Sequence, residues 1–224
     1  MTTLTQSAGE APGPATDEDV ERSAAPTGPD QTSTRAGAAM LLLGAVGLLA
    51  SVALTVERVL VAMDPTYIPS CSLNPILTCT AAMLSEQGSL FGLPNSLLGV
   101  AAFPVLMTTG AALLAGARMR PWFWTGALLG AVLGVVFVHV LVATSLWSIE
   151  ALCPYCMVVW TATIPLFAVV ANYGIPRGAL GRRAAQSQLV GDLLALRWWL
   201  VGLWFAVVVA LAGVTFWDYW SSLL

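Results

Sequence analysis

Four cysteines, Cys71, Cys79, Cys153 and Cys156, are the residues of this chain best suited to chemistry. The last two form Cys153-Pro154-Tyr155-Cys156, where an apolar run of membrane-spanning length begins. The first turn of such a helix offers unpaired N–H groups and the positive end of the macrodipole, and both favour a thiolate. The thiolate is the form of cysteine that attacks disulfides. Pro154 suits that turn because it has no N–H to lose. The i, i+3 spacing puts both sulfurs on one helix face, within bridging reach. The pattern predicts thiol–disulfide redox chemistry. Two other readings compete with it: part of an all-thiolate zinc site, or small hydrophobes in a core. Zinc sites usually bring two closely spaced pairs, whereas seven residues lie between Cys71 and Cys79.

Composition sets the surroundings of these sulfurs. Hydrophobic residues make up 58% of the chain, mean hydropathy is +0.81 and 9% of residues are charged, against roughly 25% in ordinary soluble domains. The chain reads as an all-α integral membrane protein. Its formal charge of −3 says little about partners, because six of the twelve acids fall in the first thirty residues; no nucleic-acid partner is expected. Residues 1–36 are rich in Ala, Pro, Thr, Gly, Asp and Glu, the composition of a disordered tail. A basic end and a small-residue cleavage pattern are missing, so this tail does not read as a signal peptide.

Five apolar stretches follow, at about 37–57, 96–117, 121–147, 153–173 and 197–217, each near or above the length of a helical span. Arg22 and Arg35 precede the first, Arg118 and Arg120 separate the second and third, and Arg177, Arg182, Arg183 and Arg197 separate the fourth and fifth. Arg58 is the one basic residue on the other side, and lysine is absent. The positive-inside rule then predicts a multi-pass protein of the cell (inner) membrane with a cytoplasmic N-terminus and an outer C-terminus. All four cysteines fall on the outer side, the oxidising compartment where disulfides persist.

The outer segment from about Val59 to Asn95 holds the second cysteine pair. Asn74-Pro75 reads as a helix N-cap with proline at the first position, and Ile76, Leu77, Cys79, Thr80, Met83 and Leu84 share one side of the wheel. The pattern predicts a short amphipathic helix on the membrane surface, ending near Gly88. Cys79 is expected at the edge of its apolar side and Cys71, ahead of it, is expected to be more exposed.

A spaced outer-loop pair, a transmembrane hairpin and then CPYC heading the fourth span together resemble the bacterial vitamin K epoxide reductase (VKOR) family, in a form without a fused thioredoxin-like domain. The stretch Gly88-Ser-Leu-Phe-Gly-Leu-Pro-Asn-Ser96 is similar to the family's entry to the second span, and Ser85 matches a serine of its loop helix. The resemblance covers about 37–173. It implies an enzyme that reoxidises a secreted or membrane-anchored thioredoxin-fold (DsbA-like) partner and passes the electrons to a membrane quinone (menaquinone, ubiquinone or a vitamin K-like molecule). By the same resemblance Cys71 meets the partner, Cys79 exchanges with Cys153, and Cys156 delivers electrons to the quinone. The partner is then a separate protein.

Further residues are candidates for the quinone pocket. Trp160 shares a helix face with both CPYC cysteines and is either a wall for the ring or ordinary packing. Phe91 and Phe137 are placed similarly by the resemblance, with packing as the alternative. Ser85 is a possible hydrogen-bond donor to a quinone carbonyl or a plain helix-terminal residue. His139, the one histidine, is a candidate proton relay, with an interhelical hydrogen bond the favoured alternative. Glu57-Arg58 reads as an interfacial charge pair, Trp198, Trp199, Trp204, Trp217 and Trp220 as interfacial anchors, and Pro165 as a bend in its span.

The architecture expected is a four-helix transmembrane bundle, 37–173, with an outer-loop amphipathic helix, a cytoplasmic loop over 174–196, and a fifth transmembrane helix with an outer C-terminus over 197–224. Two rivals remain. A DsbB-like oxidase performs the same reaction but carries its CxxC in the first outer loop, the reverse of the order here. A non-enzymatic metal-binding membrane protein would hold zinc or copper in place of disulfides.

Overall fold

The computed structural model describes residues 30–64, 66–85, 88–90 and 93–222. Residues 1–29, most of the expected tail, and Phe91 lie outside the described residues. Five helices are long and apolar enough to cross a membrane: α1 (Gln31–Met63), α3 (Asn95–Leu114), α4 (Pro121–Trp147), α5 (Pro154–Gly174) and α8 (Arg197–Thr215). The segment between α1 and α3, called outer after the expectation above, holds a short helix, α2 (Cys79–Leu84), and a two-stranded antiparallel ribbon, β1 (Ser89–Leu90) with β2 (Leu93–Pro94). Two short helices, α6 (Gly181–Ala185) and α7 (Gln188–Ala195), connect α5 to α8, and α9 (Trp217–Ser222) follows.

The chain is an all-α membrane bundle in which α1, α3, α4 and α5 pack together. The first helix begins earlier than apolar periodicity predicts. Asp30 caps it, its carboxylate accepting the Ser33 N–H at 2.6 Å, and Ser33 Oγ donates to the Leu113 carbonyl of α3. At a rise of ~1.5 Å per residue, its 33 residues exceed a hydrocarbon core of ~30 Å, which leaves Glu57 and the residues after it beside the outer-segment cysteines. At the other end of the second span, Gly116 adopts φ +83° and turns the chain, so α3 stops at Leu114 before the expected 117.

Small residues let α1 and α3 approach closely, the usual solution where lipid removes the hydrophobic drive between helices. A Cβ on Gly110 would lie 2.6 Å from the Gly37 carbonyl oxygen, and one on Gly47 would lie 2.3 Å from the Phe103 ring. Met40, Leu113, Trp124 and Val170 fill the core at the end away from the cysteines, and Val138, Leu146, Trp160 and Ile164 fill it between α4 and α5 nearer them. The fifth span, α8, has no buried residue. It is tied to the bundle at Trp204, whose indole N–H donates to His139 Nε2 of α4 at 2.9 Å.

The outer helix is shorter than expected. It starts at Cys79, capped by Thr78, and Asn74 instead closes a turn by accepting the N–H groups of Ile76 and Leu77 at 3.0 and 2.6 Å. Residues 76–78 are unavailable to a helix because their backbone pairs elsewhere, against Leu152.

Candidate redox site

That pairing builds the site. Leu77 and Leu152 form an isolated parallel bridge, in which the Leu152 N–H donates to the Ile76 carbonyl at 2.7 Å and the Thr78 N–H donates to the Leu152 carbonyl at 3.0 Å. Two backbone hydrogen bonds thus stitch the outer segment to the strand-like residues just before CPYC. Cys79 follows one side of the stitch and Cys153 the other, so their sulfurs meet. Cys79 Sγ lies 3.1 Å from Cys153 Sγ, about 1 Å beyond a disulfide bond length of ~2.05 Å.

Cys71 and Cys79 are joined by a disulfide with Cα atoms 5.7 Å apart, while Cys153 and Cys156 are free thiols. Cys71 is 5% exposed and Cys79 is 0% exposed, so the expected order holds but both are buried, and Ser72 Oγ meets Thr78 and Thr80 hydroxyls at 3.0 and 3.2 Å. With Met83 and Cys153, the disulfide forms a small buried cluster against Leu54, Val61 and Tyr155.

Cys153 is the N-cap of α5 and its sulfur accepts the Cys156 N–H at 3.4 Å. Its pKa is lowered. The Cys156 thiol, hydrogen-bonded to it, stabilises the thiolate most, the backbone N–H groups of Cys156 and Tyr155 add to this, and burial opposes them. A buried nucleophile held 3.1 Å from a disulfide sulfur and biased toward the thiolate is arranged for thiol–disulfide exchange.

Cys156 opens on the other side, into a cavity of ≈ 760 Å³ between α1, α3, α4 and α5, lined also by Ala82 and Met83 of α2. Its walls are mostly apolar, with Met83, Phe103, Phe137 and Phe167 among them. Ser85 also lines it; its hydroxyl donates to the Ala82 carbonyl and accepts the Gly88 N–H, both at 3.0 Å. Arg58, Asn95 and Ser96 give the cavity a polar end that sequence reasoning missed. Arg58 Nη1 donates to the Gly88 carbonyl at 2.9 Å, and Ser96 Oγ accepts from Thr55 at 2.8 Å. The signal for Arg58 was its isolation as the one basic residue on the cysteine side. Glu57 and Arg58 do not act as a pair, since Glu57 turns to Ser70.

Of the residues singled out from sequence, the structure brings together the four cysteines and gathers Ser85, Phe137 and Cys156 around one cavity. His139 and Trp160 are not among its lining residues. His139 faces α8, with Nδ1 2.8 Å from the Val135 carbonyl and Nε2 accepting from Trp204. Trp160 is buried among Val138, Ile164 and Phe216, and its N–H has no hydrogen-bond partner among the described residues. No group of three or more His, Cys, Asp or Glu side chains among the described residues is arranged to hold a metal ion.

A multi-pass helical bundle with a disulfide abutting a reduced CxxC defines a membrane thiol–disulfide oxidoreductase. The model of the vitamin K epoxide reductase (VKOR) family matches residues 38–171, and the chain belongs to that family. No curated protein and no solved structure gives a significant match.

Proposed function

We propose that this protein reoxidises a thioredoxin-fold, DsbA-like partner outside the cytoplasm and passes the electrons to a quinone in the cell membrane, its N-terminus cytoplasmic. One observation carries the reading: the sulfur-to-sulfur contact of 3.1 Å between Cys79 and Cys153 leads directly to Cys156 in the wall of a large apolar cavity.

The chain's own residues supply an ordered route. A partner thiolate opens the Cys71–Cys79 disulfide at Cys71, and the partner's second thiol resolves the mixed disulfide, so the partner leaves oxidised and both outer-segment cysteines are reduced. The Cys79 thiolate then attacks Cys153 of an oxidised Cys153–Cys156 pair. An S–S bond forms between Cys79 and Cys153, and Cys156 departs with the electron pair. Cys71 next attacks Cys79, restoring their disulfide and releasing Cys153 as the thiolate. The pattern in this structure, Cys71–Cys79 joined with Cys153 and Cys156 free, is the product of that sequence. Both reducing equivalents now sit on the CPYC pair.

The cavity fits a quinone: its volume and apolar walls suit a ring and the start of a tail, and Arg58, Ser85 and Asn95 place polar groups at one end. A quinone bound there supplies the terminal acceptor, taking two electrons and two protons. Phe137 flanks the same space, Cys156 reaches it, and Ala82 and Met83 of α2 line it. Ser85 would turn from the Ala82 carbonyl to donate to a ligand oxygen. Trp160 and His139 keep lesser roles in this reading, Trp160 backing Cys156 on the same helix face and His139 anchoring α8.

The test is a coupled assay with purified protein, a reduced soluble thioredoxin-fold protein and a menaquinone or ubiquinone analogue, following quinone absorbance and partner thiols. Cys156→Ala is expected to abolish quinone reduction, and Cys79→Ala to leave the CPYC pair without electrons from the partner. Normal turnover in either variant removes that residue from the route.

A further inference from the structure

Beside the disulfide lies a buried carboxyl that the route above does not use. Glu57, in the last turns of α1, is 7% exposed, an unusual place for an acid unless it is bonded. Three of its hydrogen bonds come from one residue. The Ser70 N–H donates to both carboxyl oxygens, at 3.3 and 3.4 Å, and the Ser70 hydroxyl makes a short hydrogen bond to Oε1. Ser70 immediately precedes Cys71, and its Oγ also lies 3.3 Å from the hydroxyl of Tyr155, the residue between Pro154 and Cys156. Tyr67 hydrogen-bonds the same carboxyl, which is the main cause of its raised pKa. Glu57 therefore ties the arm that carries Cys71 to α1 and, through Ser70, to CPYC.

We propose that Glu57 is a positioning residue for the sulfur relay: it holds Cys71 within reach of Cys79 so that Cys71, and not an outside thiol, resolves the Cys79–Cys153 intermediate. The inference rests on the relay proposed above. In the resolving step the Cys71 thiolate attacks Cys79 Sγ, the Cys71–Cys79 bond forms, the Cys79–Cys153 bond breaks and the electron pair leaves on Cys153. The step is intramolecular, and its advantage is the local concentration of Cys71 at Cys79, which anchoring of Ser70 sets. Cys71 is 5% exposed in the anchored arm, so releasing the anchor has two effects of opposite sign. The mixed disulfide accumulates, and Cys71 becomes easier to attack from outside. A defect in packing alone would not combine the two.

The experiment uses the full chain in detergent micelles, equilibrated in a dithiothreitol redox buffer with neither quinone nor protein partner. Acid quenching and mass mapping then give the ratio of Cys71–Cys79 to Cys79–Cys153 disulfide. In a Cys153→Ala background the rate of dithiothreitol attack on the Cys71–Cys79 bond is followed by thiol tagging. Ser70→Ala, the smallest change, and Glu57→Ala are each expected to lower the ratio about tenfold and to raise the attack rate severalfold, the scale of losing a hydrogen bond to a charged group. Glu57→Gln, which still accepts from Ser70, is expected to recover part of both. An unchanged ratio in Ser70→Ala overturns the proposal, as does a ratio and an attack rate that fall together. A wild-type chain that forms both disulfides here but never reduces quinone would instead sink the proposed function and leave the role of Glu57 standing.

Discussion

Replacing Thr78 by proline removes the N–H that donates to the Leu152 carbonyl at 3.0 Å. It also replaces a residue at φ −144° with one fixed near −65°, so the local backbone must swing. Leu152 is buried, and leaving its carbonyl without this donor costs about 1–3 kcal/mol. At about 1.4 kcal/mol per factor of ten, the paired arrangement that holds Cys79 against Cys153 becomes about fivefold to a hundredfold less populated. Transfer from the Cys71/Cys79 pair to CPYC should slow by that factor, because the attack needs the sulfurs in contact. In the assay, oxidised protein receives an equimolar thioredoxin-fold dithiol, is quenched in acid at millisecond intervals and is mapped by mass. Reduction of Cys71–Cys79 is expected to stay within about twofold of wild type, while reduction of Cys153–Cys156 lags. Thr78→Ala, which keeps the N–H and loses the hydroxyl that caps α2 and meets Ser72, is the control and should cost far less. If Thr78→Pro transfers electrons to CPYC at the wild-type rate, the backbone stitch does not set the sulfur geometry and the reasoning fails.

Other consequences can be measured separately. Cys156→Ala removes the thiol that does most to lower the Cys153 pKa; since only the thiolate reacts, the alkylation rate of Cys153 against pH should keep its shape but move to higher pH, with slower alkylation at pH 7, and an unmoved profile would exclude that hydrogen bond as the cause. Gly110→Ala places a methyl 2.6 Å from the Gly37 carbonyl oxygen and 2.8 Å from the Leu41 nitrogen; forcing α1 and α3 apart should cost about 1–3 kcal/mol, read as a lower melting temperature in detergent. Glu150 holds φ +53°, a left-handed conformation that a side chain resists, so Glu150→Gly should be neutral or stabilise by up to about 1 kcal/mol, whereas a β-branched residue there should destabilise. Trp204→Phe deletes the hydrogen bond to His139 and should cost about 0.6 kcal/mol, the typical worth of such bonds in a bilayer; loss of disulfide exchange in that variant would give α8 a role beyond packing.

Much of this was legible in the residues because membrane spans announce themselves by length. The stretches expected at 121–147 and 153–173 coincide with α4 and α5 to within a residue, since Pro121 and Pro154 mark where each helix can begin. The early start of α1 was not legible: Gln31 to Arg35 is polar, and the helix extends there because Asp30 caps it and Ser33 finds the Leu113 carbonyl, a partner eighty residues away. Asn74-Pro75 misled for a similar reason. Its local chemistry suits a helix start, yet the carbonyl of Ile76 and the N–H of Thr78 are claimed by Leu152, and no local window contains that competitor. The cysteines were found because their chemistry is rare. Glu57 was passed over because an acid beside an arginine at a span's end looks like a surface pair until the fold shows each turning to a different neighbour.

The cysteines divide into two halves that touch at one point. Cys71 belongs to the outer arm and Cys156 to the cavity, and among the described residues the sulfurs of Cys79 and Cys153 are where the halves meet. Such a layout works like two half-cells joined through a switch. Both cysteines of the Cys71–Cys79 bond are buried, which slows attack by small thiols from the surrounding fluid. On the route proposed above, a partner that displaces the arm reaches Cys71 faster than a small free thiol does, and selectivity for the electron donor begins with burial.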